Sequence, residues 1–374
     1  MSHPSPSQPQ ALNRRGGVMH FVSGGFSGST QVAMDLVIAS TGPATLVLRQ
    51  KRQTSMMRIA ALRASGIDVK LIPGWSRAIS VWHLVNLLKQ QRPDILVSHG
   101  FPEHLIGRIA GVWARVPHLI QVEHNSRERY SLWSRRLVNW LTPHTEAFVG
   151  CSQAVKQSLI SQGLPASKCY AIPNGIRIPS SPPSLTSPTP ERRPNLLMVA
   201  RFASQKDHLT LVKGLARLRE LYALTPNLVL VGGGKERYRR ATLKSVKELC
   251  LEDQVEVHGP RQDVRDMMHQ FKLLCLSSHY EGMPLTLIEG MAAGCAVLGS
   301  QVSGIKELIK DGINGTLVPP ENPDAWAHAI AKHLLDPEWS GQLAKVGQNE
   351  AMSQYSVESM ITLYEALFNS IRSH

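Results

Sequence analysis

The feature that most constrains this chain is a regular alternation of short apolar runs with longer helical patterns. In the first half, helical patterns such as Ser29–Ala39, Val81–Gln91 and Ser152–Gln162 separate the apolar runs. Continuous apolar runs of this length are typical of strands covered on both faces. The predicted strands are Val18–Val22, Thr45–Leu48, Val69–Ile72, Asp94–Ser98, His118–Val122 and Ala147–Cys151. This βαβ order predicts an α/β fold with a doubly wound parallel sheet.

A second series of the same kind follows a segment rich in proline and serine. Residues 179–194 read PSSPPSLTSPTPERRP, a composition that favours a linker over a packed element. The later predicted strands are Asn195–Ala200, Asn227–Gly232, Val255–Gly259, Lys272–Ser277, Ala296–Ser300 and Gly315–Val318. We therefore expect two Rossmann-like domains facing across a cleft, over 17–178 and 195–352. Ligands are expected at the carboxyl ends of the strands.

The two ends of the chain differ from this pattern. Residues 1–16 are polar and proline-rich and are predicted to be a disordered tail. Residues 353–374 include a helical pattern over Val357–Ile371, which is expected to cross back to the N-terminal domain. No apolar run reaches the ~18 residues needed to span a bilayer, and no segment of signal-peptide length follows the tail. We therefore expect a cytoplasmic protein.

The charge and the cysteine content of the chain limit the kinds of partner and metal site that are expected. The formal net charge of +13 favours an anionic partner: a nucleotide, a nucleic acid or an acidic membrane face. No zinc finger, basic-region heptad or RNA-binding aromatic motif is present, so nucleic acid is not an expected partner. The five cysteines have no close pairs, which argues against a zinc ribbon or a redox dithiol.

Two cations follow the first strand of the second series. Arg201 and Lys206 lie in the loop where a parallel strand ends and the next helix begins. A helix N-terminus adds partial positive charge there, so the loop suits a diphosphate. A solvated basic loop is the alternative interpretation. The next strand ends in a run of glycines, Gly232 to Gly234, which permits close approach of a ligand or simply makes a tight turn.

The segment 277–294 combines two carboxylates with a helix start. Pro284 is predicted at the first helical position, with Glu281 in the loop before it and Glu289 on the helix. Carboxylates accept hydrogen bonds from vicinal hydroxyls, so the pair suits a sugar and a ribose. The alternative for Glu289 is a capping or salt-bridged helix carboxylate.

These residues closely resemble the motifs of glycosyltransferase family 4. The resemblance runs from Val199-Ala-Arg201 through Glu281-x7-Glu289 to Gly294–Leu298, Gly304–Ile309 and Asp311–Gly315. It extends to Ile172–Ile176 and Cys151–Val155. Members of this family are retaining, metal-independent enzymes of the GT-B fold, so the resemblance implies that fold, with the donor domain second and the acceptor domain first. It implies no metal and no cofactor, and no Asp-x-Asp motif occurs in the chain.

The resemblance implies a role for each matching position. Arg201 and Lys206 would bind the donor diphosphate, Glu281 the transferred sugar and Glu289 the ribose. The amides of Gly282, Met283, Leu285 and Thr286 would lie close by. Residues around Gly259–Val264, among them Arg261 and Val264, would flank the base, and Gly233 of the glycine run would also contact the donor.

The first half of the chain matches less sharply. Gly25 and Gly28 are candidates for the glycine pair that faces the phosphates, although Ser27 departs from the usual pair and Gly24-Gly25 is a rival alignment. His124, at a strand end, matches a family histidine that reaches the donor sugar and the acceptor. With no metal, Arg201 and Lys206 must neutralise the leaving diphosphate. The resemblance implies front-face attack, in which the departing phosphate takes the acceptor's proton.

One amphipathic segment of the sequence bears on the kind of acceptor. Within 127–141, the predicted apolar face carries Tyr130, Trp133, Leu137, Trp140 and Leu141, and arginines lie elsewhere. This composition is typical of a helix at an anionic membrane surface, although packing on the domain core is an equal alternative. We therefore expect a UDP- or GDP-sugar donor and a glycan or lipid-linked acceptor, used at the cytoplasmic membrane face in polysaccharide or glycolipid synthesis. A GT-B-like epimerase or hydrolase and a non-enzymatic basic module are the rival hypotheses.

Overall fold

A computed structural model describes residues 16–52, 54–126, 131–178 and 193–373. They divide into two compact units: the residues up to Val122 with Ser131–Ala147, and Glu123–Tyr130 with everything from Phe148. Within the described ranges, no helix combines the length and the apolar character needed to cross a bilayer.

The chain builds two sheets whose strands run parallel. The strands of the first sheet are β1 (Val18–Ser23), β2 (Ala44–Arg49), β3 (Val69–Ile72), β4 (Ile95–His99), β5 (His118–Glu123), β6 (Ala147–Gly150) and β7 (Cys169–Ala171). Their order is β3-β2-β1-β4-β5-β6-β7. The central strand β1 pairs in parallel with β2 and β4, from Val18↔Ala44 and Val18↔Ile95 onward.

The second sheet has six strands. They are β8 (Arg193–Val199), β9 (Leu228–Val231), β10 (Val255–His258), β11 (Phe271–Leu276), β12 (Ala296–Ser300) and β13 (Thr316–Val318). Their order, β10-β9-β8-β11-β12-β13, again reverses direction beside the first strand of the series. A reversal of this kind leaves room for a ligand at the carboxyl edge, next to β8 and β11.

Helices connect the strands in both series. The helices up to residue 161 are α1 (Gly28–Ile38), α2 (Met56–Ala64), α3 (Arg77–Gln91), α4 (Glu103–Ala114), α5 (Leu132–Leu141) and α6 (Gln153–Ser161). The later ones are α7 (His208–Tyr222), α8 (Glu236–Glu248), α9 (Val264–Met268), α10 (Leu285–Ala292), α11 (Ser303–Lys306), α12 (Pro323–Leu335), α13 (Pro337–Gln354) and α14 (Val357–Arg372).

Burial on both faces of the first sheet explains its apolar strands. Met19 and Phe21 of β1 pack into one core cluster, with residues of α3 and α4. Val22 packs into a second cluster with Leu46 and Leu48, while Val47 between them faces the first. Successive strand residues point to opposite faces, so a sheet covered by helices on both sides needs apolar residues at every position.

The predicted α/β architecture is confirmed, with differences in detail. All twelve predicted strands are present, with ends within two residues of those predicted, and only the three-residue β7 was missed. The prediction that Pro284 opens its helix is wrong. Pro284 is the N-cap, with an extended backbone at ψ 110°, and α10 begins at Leu285. Strand β8 begins at Arg193, inside the predicted linker, while residues 1–15 and 179–192 lie outside the described ranges.

Buried histidines predict how stability depends on pH. Burial lowers the pKa of His20 to about 3 and the pKa values of His208 and His333 to about 4, from an ordinary 6.5. Between these values the unfolded chain binds protons that the folded chain does not. The free energy of unfolding should therefore be highest above pH 6.5. It should fall as the pH drops towards 4, by up to ~1.4 kcal/mol per pH unit for each histidine.

Urea unfolding at pH 7 and pH 5 measures this effect. The variant His333→Gln is a suitable comparison because His333 is buried and contacts Thr316 and Ser340, each at 2.8 Å. The variant should lose less stability than the wild type over the same pH interval. Equal unfolding midpoints at the two pH values in the wild-type protein would contradict the prediction.

Candidate active site

The loop that carries Arg201 and Lys206 is fixed by the glycine run beside it. The amide of Phe202 donates to the carbonyl of Gly233 at 2.6 Å, and the amide of Lys235 donates to Phe202 at 2.9 Å. A Cβ on Gly232 would lie 2.0 Å from the Ala200 carbonyl oxygen, and one on Gly234, at φ +143°, would lie 2.4 Å from that of Phe202. These glycines hold two loops together at the carboxyl edge of β8 and β9, a packing role that the sequence did not predict. Close approach of a ligand stays a prediction.

Lys206 and Glu281 form the charged centre of this edge. The Lys206 Nζ lies 2.5 Å from the Glu281 Oε1, and both side chains are largely buried. The Ser278 hydroxyl donates to the same oxygen at 2.6 Å, and the Gln205 amide lies 3.4 Å from Oε2. Burying a carboxylate is costly unless it is paired and hydrogen-bonded, and these contacts meet both needs. Ser278 and Gln205 were not predicted as site residues, although each lies within three positions of one that was.

Arg201 lies at the start of the same loop and, unlike Lys206, is exposed and unpaired among the described residues. A guanidinium without a carboxylate partner remains available to an incoming anion, and its fork geometry matches a phosphate group. The loop therefore presents one paired cation and one unpaired cation.

The predicted row of amides begins at Gly282. A Cβ on Gly282 would lie 2.2 Å from the carbonyl oxygen of His124 and 2.9 Å from the Cys151 sulfur, so only glycine fits there. The next residue, Met283, is buried, and its carbonyl accepts a hydrogen bond from the Asn174 side chain at 3.2 Å. Leu285 and Thr286 then form the first turn of α10, where backbone amides have no partner within the helix.

Glu289 lies further along α10 and is paired with an arginine. Arg265 approaches its Oε1 with Nη2 at 3.1 Å and with Nε at 3.3 Å. The pair lines a partly apolar cavity that also includes Met268 and His269. The alternative interpretation of Glu289 as a salt-bridged helix carboxylate therefore has direct support, and a bond to ribose would have to coexist with this pair.

The residues predicted around the base take different positions. Arg261 is exposed and forms a bidentate pair with Asp263, at 2.8 and 2.6 Å. Val264 is the first residue of α9, and Arg265, which was not predicted, follows it directly. Gly233 packs beside Pro260, because a Cβ placed on Gly233 would lie 3.0 Å from the Pro260 Cγ. This arrangement places the 259–264 loop next to the glycine run.

His124 belongs to the same compact unit as these residues, since the unit includes Glu123–Tyr130. Its carbonyl oxygen contacts Gly282, and the Ser126 hydroxyl donates to the carbonyl of Glu281 at 3.0 Å. Burial lowers the pKa of the His124 ring to about 4, so the imidazole is neutral at pH 7. A neutral imidazole can donate a hydrogen bond to a sugar hydroxyl or accept one from it.

The other two predicted site residues lie in the first unit. Gly28 is the first residue of α1, Ser27 is its N-cap, and Gly25 lies in the loop between β1 and α1. Gly24 is buried, and its amide donates to the carbonyl of Arg49 at 2.9 Å. The rival glycine pair Gly24-Gly25 therefore includes one residue that packs against β2.

The predicted amphipathic segment is divided in the structure. Residues 127–130, including Tyr130, lie outside the described ranges, and α5 covers Leu132–Leu141. Leu141 is fully buried, whereas Trp133 is 78% exposed and Trp140 is 46% exposed. Packing on the core therefore accounts for the leucine and leaves both tryptophans at the surface.

Comparison with protein families covers both halves of the chain. Residues 10–178 match the model described as Glycosyltransferase Family 4, and residues 186–351 match that described as Glycosyl transferases group 1. A lipopolysaccharide core biosynthesis glycosyltransferase, LpsE of Rhizobium meliloti, is 28% identical over 49% of this chain and 52% of its own length. An N-acetyl-alpha-D-glucosaminyl L-malate synthase of Bacillus anthracis is 27% identical over 47% of this chain and 45% of its own length. The chain thus spans about half the length of these two relatives.

Longer matches connect the chain to other transferases and to solved structures. A UDP-Gal:alpha-D-GlcNAc-diphosphoundecaprenol alpha-1,3-galactosyltransferase of Escherichia coli is 21% identical over 80% of this chain and 81% of its own length. HepE of Anabaena, solved in complex with UDP-glucose, superposes with a TM-score of 0.83 at 20% identity, over 94% of this chain and 99% of its own. Sucrose-phosphate synthase of Thermosynechococcus elongatus superposes with a TM-score of 0.73 at 17% identity, over 96% of this chain and 100% of its own.

The two parallel sheets and these superpositions define the fold as GT-B, with two Rossmann-like domains. The chain belongs to glycosyltransferase family 4, the group 1 glycosyl transferases.

Proposed function

We propose that this protein is a retaining glycosyltransferase that moves a sugar from a UDP-sugar to a glycan or lipid-linked acceptor. The observation that carries the proposal is the buried Lys206–Glu281 pair beside the unpaired Arg201, at the carboxyl edge of β8 and β11. Two cations at this edge match the diphosphate of a nucleotide sugar. The neighbouring carboxylate matches the hydroxyls of the sugar attached to it.

In the proposed donor site, each of these groups binds a different part of the nucleotide sugar. Arg201 and Lys206 bind the diphosphate and stabilise it as it leaves. Glu281 accepts hydrogen bonds from the transferred sugar, which lies beside the amides of Gly282, Met283, Leu285 and Thr286. Glu289 binds the ribose, the base lies against Arg261 and Val264, and Gly233 contacts the donor. The assignment of Gly25 and Gly28 to the phosphates stays a prediction from the sequence.

Uridine is the base that the comparisons favour. HepE was solved with UDP-glucose, and the Escherichia coli relative is named for UDP-galactose. A GDP-sugar, the other donor expected from the sequence, has no comparable support. The same relative is named for a diphosphoundecaprenol-linked acceptor, which supports a lipid-linked acceptor here.

We propose front-face transfer with retention and without a metal. The bond between the anomeric carbon and the donor phosphate oxygen breaks, the acceptor oxygen bonds to the same face, and the acceptor proton passes to the departing diphosphate. Neutral His124 orients the sugar and the acceptor hydroxyl. Activity that persists in excess EDTA and an α-linked product from an α-linked donor, read by NMR, would support this scheme. A β-linked product would contradict it.

Arg265 is proposed to hold Glu289 in position for the ribose. Replacing Arg265 with glutamine should raise the KM for the UDP-sugar about two- to fivefold and leave kcat nearly unchanged, because partly exposed ion pairs contribute ~0.2–1 kcal/mol. The 2′-deoxy analogue of the donor, which lacks one of the hydroxyls, should be affected less. Initial rates with both donors give the comparison.

Arg240→Gln is the matched control for this measurement. Arg240 pairs with Glu236 at 3.2 Å on the exposed surface of α8, so it forms the same kind of exposed ion pair without a carboxylate assigned to the ribose. Its removal should change neither KM. If the KM of the Arg265→Gln protein rises equally for the two donors, Arg265 does not act through a contact between Glu289 and the ribose.

The place of action is proposed to be the cytoplasmic face of the inner or plasma membrane. The exposed Trp133 and Trp140 of α5 and the guanidinium of Arg136, 5.4 Å above the Trp133 ring, suit an anionic interface. Flotation with anionic liposomes at low salt tests this contact. A protein that stays at the bottom of the gradient would contradict it.

Product analysis separates the proposed activity from its rivals. With a labelled UDP-sugar and a lipid-linked oligosaccharide acceptor, a transferase moves the label to the acceptor and releases UDP. A hydrolase yields free sugar, and an epimerase yields a changed nucleotide sugar. In a non-enzymatic basic module, Arg201→Ala would leave polyanion binding almost unchanged and no label would move.

A further inference from the structure

The loops after β1, β2, β3 and β4 form one connected surface on the first unit. Adjacent parallel strands end at the same edge of a sheet, and here the order is β3-β2-β1-β4. Arg49, the last residue of β2, ties three of these segments together. Its guanidinium donates to the carbonyl of Gly74 at 3.3 Å and to the buried carboxylate of Glu103 at 2.8 Å. The edge is therefore held by a buried ion pair.

Large apolar side chains lie exposed on this surface. Trp75, in the loop after β3, is 79% exposed, and Met57 and Met56, at the start of α2, are 72% and 53% exposed. The loop under Trp75 is tightly packed, since a Cβ on Gly74 would lie 1.7 Å from the Gln50 carbonyl oxygen. A well-anchored loop that keeps a tryptophan in water is typical of an apolar contact site.

Cations lie between these apolar residues. Arg52, Arg58 and Arg77 are exposed, and none of them makes an ion pair within the described part of the chain. The guanidinium of Arg58 lies 5.4 Å above the Phe26 ring, and that of Arg77 lies 5.9 Å above the Phe101 ring. Arg58 and Arg77 thus connect the starts of α2 and α3 to the loops after β1 and β4.

Acidic residues are missing from the same loops. The connecting residues 24–27, 50–55, 73–76 and 100–102 contain neither aspartate nor glutamate. The nearest carboxylate in sequence, Glu103, is 2% exposed and is engaged by Arg49. Among the described residues, the surface therefore has a net positive charge alongside large apolar side chains that stay exposed.

We propose that this surface binds an acceptor lipid through its diphosphate and the first part of its apolar chain. Arg58 and Arg77 contact the diphosphate, and Trp75 and Met57 contact the chain. An uncharged glycan can stack on a tryptophan, but it supplies neither an anion for the cations nor an apolar chain for the methionines, whereas a lipid diphosphate supplies both. This inference rests on the proposed transferase function and names the class of acceptor.

Farnesyl diphosphate is a suitable probe of the full-length protein, used below its micelle concentration. Saturating UDP occupies the proposed donor site, so that a second diphosphate does not bind there. Binding is measured by calorimetry for farnesyl diphosphate, inorganic diphosphate and farnesol. We expect farnesyl diphosphate to bind at least tenfold more tightly than either fragment.

Paired variants locate the binding. Trp75→Ala and the double variant Arg58→Gln/Arg77→Gln should each weaken farnesyl diphosphate binding about tenfold. Trp113→Ala and Arg115→Gln are matched controls, since Trp113 is also 60% exposed and both lie at the end of α4 that is distant from this edge. Neither control should change the affinity.

Several outcomes would overturn the inference. They are no binding of farnesyl diphosphate, equal affinity for farnesyl and inorganic diphosphate, and affinity unchanged in all the edge variants. Binding to phosphatidylglycerol vesicles that depends on the same residues, without farnesyl diphosphate binding, would make the surface a membrane contact instead. A protein that binds UDP but not farnesyl diphosphate would leave the transferase proposal standing, whereas failure to bind UDP would count against that proposal itself.

Discussion

Replacing Lys206 with alanine is expected to lower kcat/KM for sugar transfer by about 10²–10³, which corresponds to ~2.7–4 kcal/mol of transition-state stabilisation. The Lys206 Nζ lies 2.5 Å from Glu281 and shares its loop with the exposed Arg201, and the loop is fixed by backbone hydrogen bonds. A cation held in place by the fold stabilises a leaving diphosphate without reorganisation. The initial rate of UDP release measures the effect.

Two variants control this prediction. Lys206→Arg keeps the charge and should retain much more activity than the alanine variant. Lys244→Ala removes a lysine that pairs with Glu248 on the exposed surface of α8, and it should behave as wild type. A Lys206→Ala protein that folds and keeps kcat/KM within a few fold of wild type would rule out the proposed role.

Glu281→Gln is expected to lower kcat by about 10² or more while UDP binds at least as tightly as before. Glutamine keeps the size of the side chain and can still bond to Ser278, but it loses the charge that is proposed to face the transferred sugar. It also releases Lys206 from its ion pair, so that the cation is free for the diphosphate. Stopped-time assays give kcat, and calorimetry gives the UDP dissociation constant.

The sign of the UDP effect makes this prediction specific. If the carboxylate of Glu281 were purely structural, replacing it would disorder the loop. Both kcat and the affinity for UDP would then fall together. Glu289→Gln is the internal comparison and should mainly raise the dissociation constant of UDP, since its proposed partner is the ribose. Weaker UDP binding in Glu281→Gln, with kcat unchanged, would contradict the assigned roles.

The sequence predicted the fold well for a physical reason. Strands that are covered on both faces, such as Ala147–Gly150 and Leu228–Val231, are buried at every position and therefore appear in the sequence as continuous apolar runs between more polar segments. The strand that was missed, β7, has three residues, of which Tyr170 is exposed, and such a segment carries no distinctive pattern. Pro284 was assigned to the first turn because proline suits that position. Its ψ of 110° shows that it precedes the helix instead.

The candidate site was only partly predictable. Arg201, Lys206 and Glu281 follow strands directly, so their shared edge could be inferred from parallel topology. The contact of Arg265 with Glu289 joins α9 to α10, and that of Ser278 with Glu281 depends on how one loop folds back on itself. Neither side-chain direction is specified by a local sequence pattern. The glycine run was predicted as a possible ligand contact, and its backbone packing against Ala200 and Phe202 became visible only in three dimensions.

The most direct test of the central claim is the thermal unfolding midpoint of the full chain with UDP, GDP and ADP, each tested on the wild type and on an Arg201→Ala/Lys206→Ala variant. At ~100 times its dissociation constant, a specific ligand adds ~2.7 kcal/mol to the free energy of unfolding. We expect UDP to raise the midpoint of the wild type clearly, with smaller shifts for GDP and ADP, and to leave that of the variant nearly unchanged. No shift with any nucleotide, or an equal shift in the variant, would contradict the assignment of a nucleotide-sugar site to this edge of the sheet.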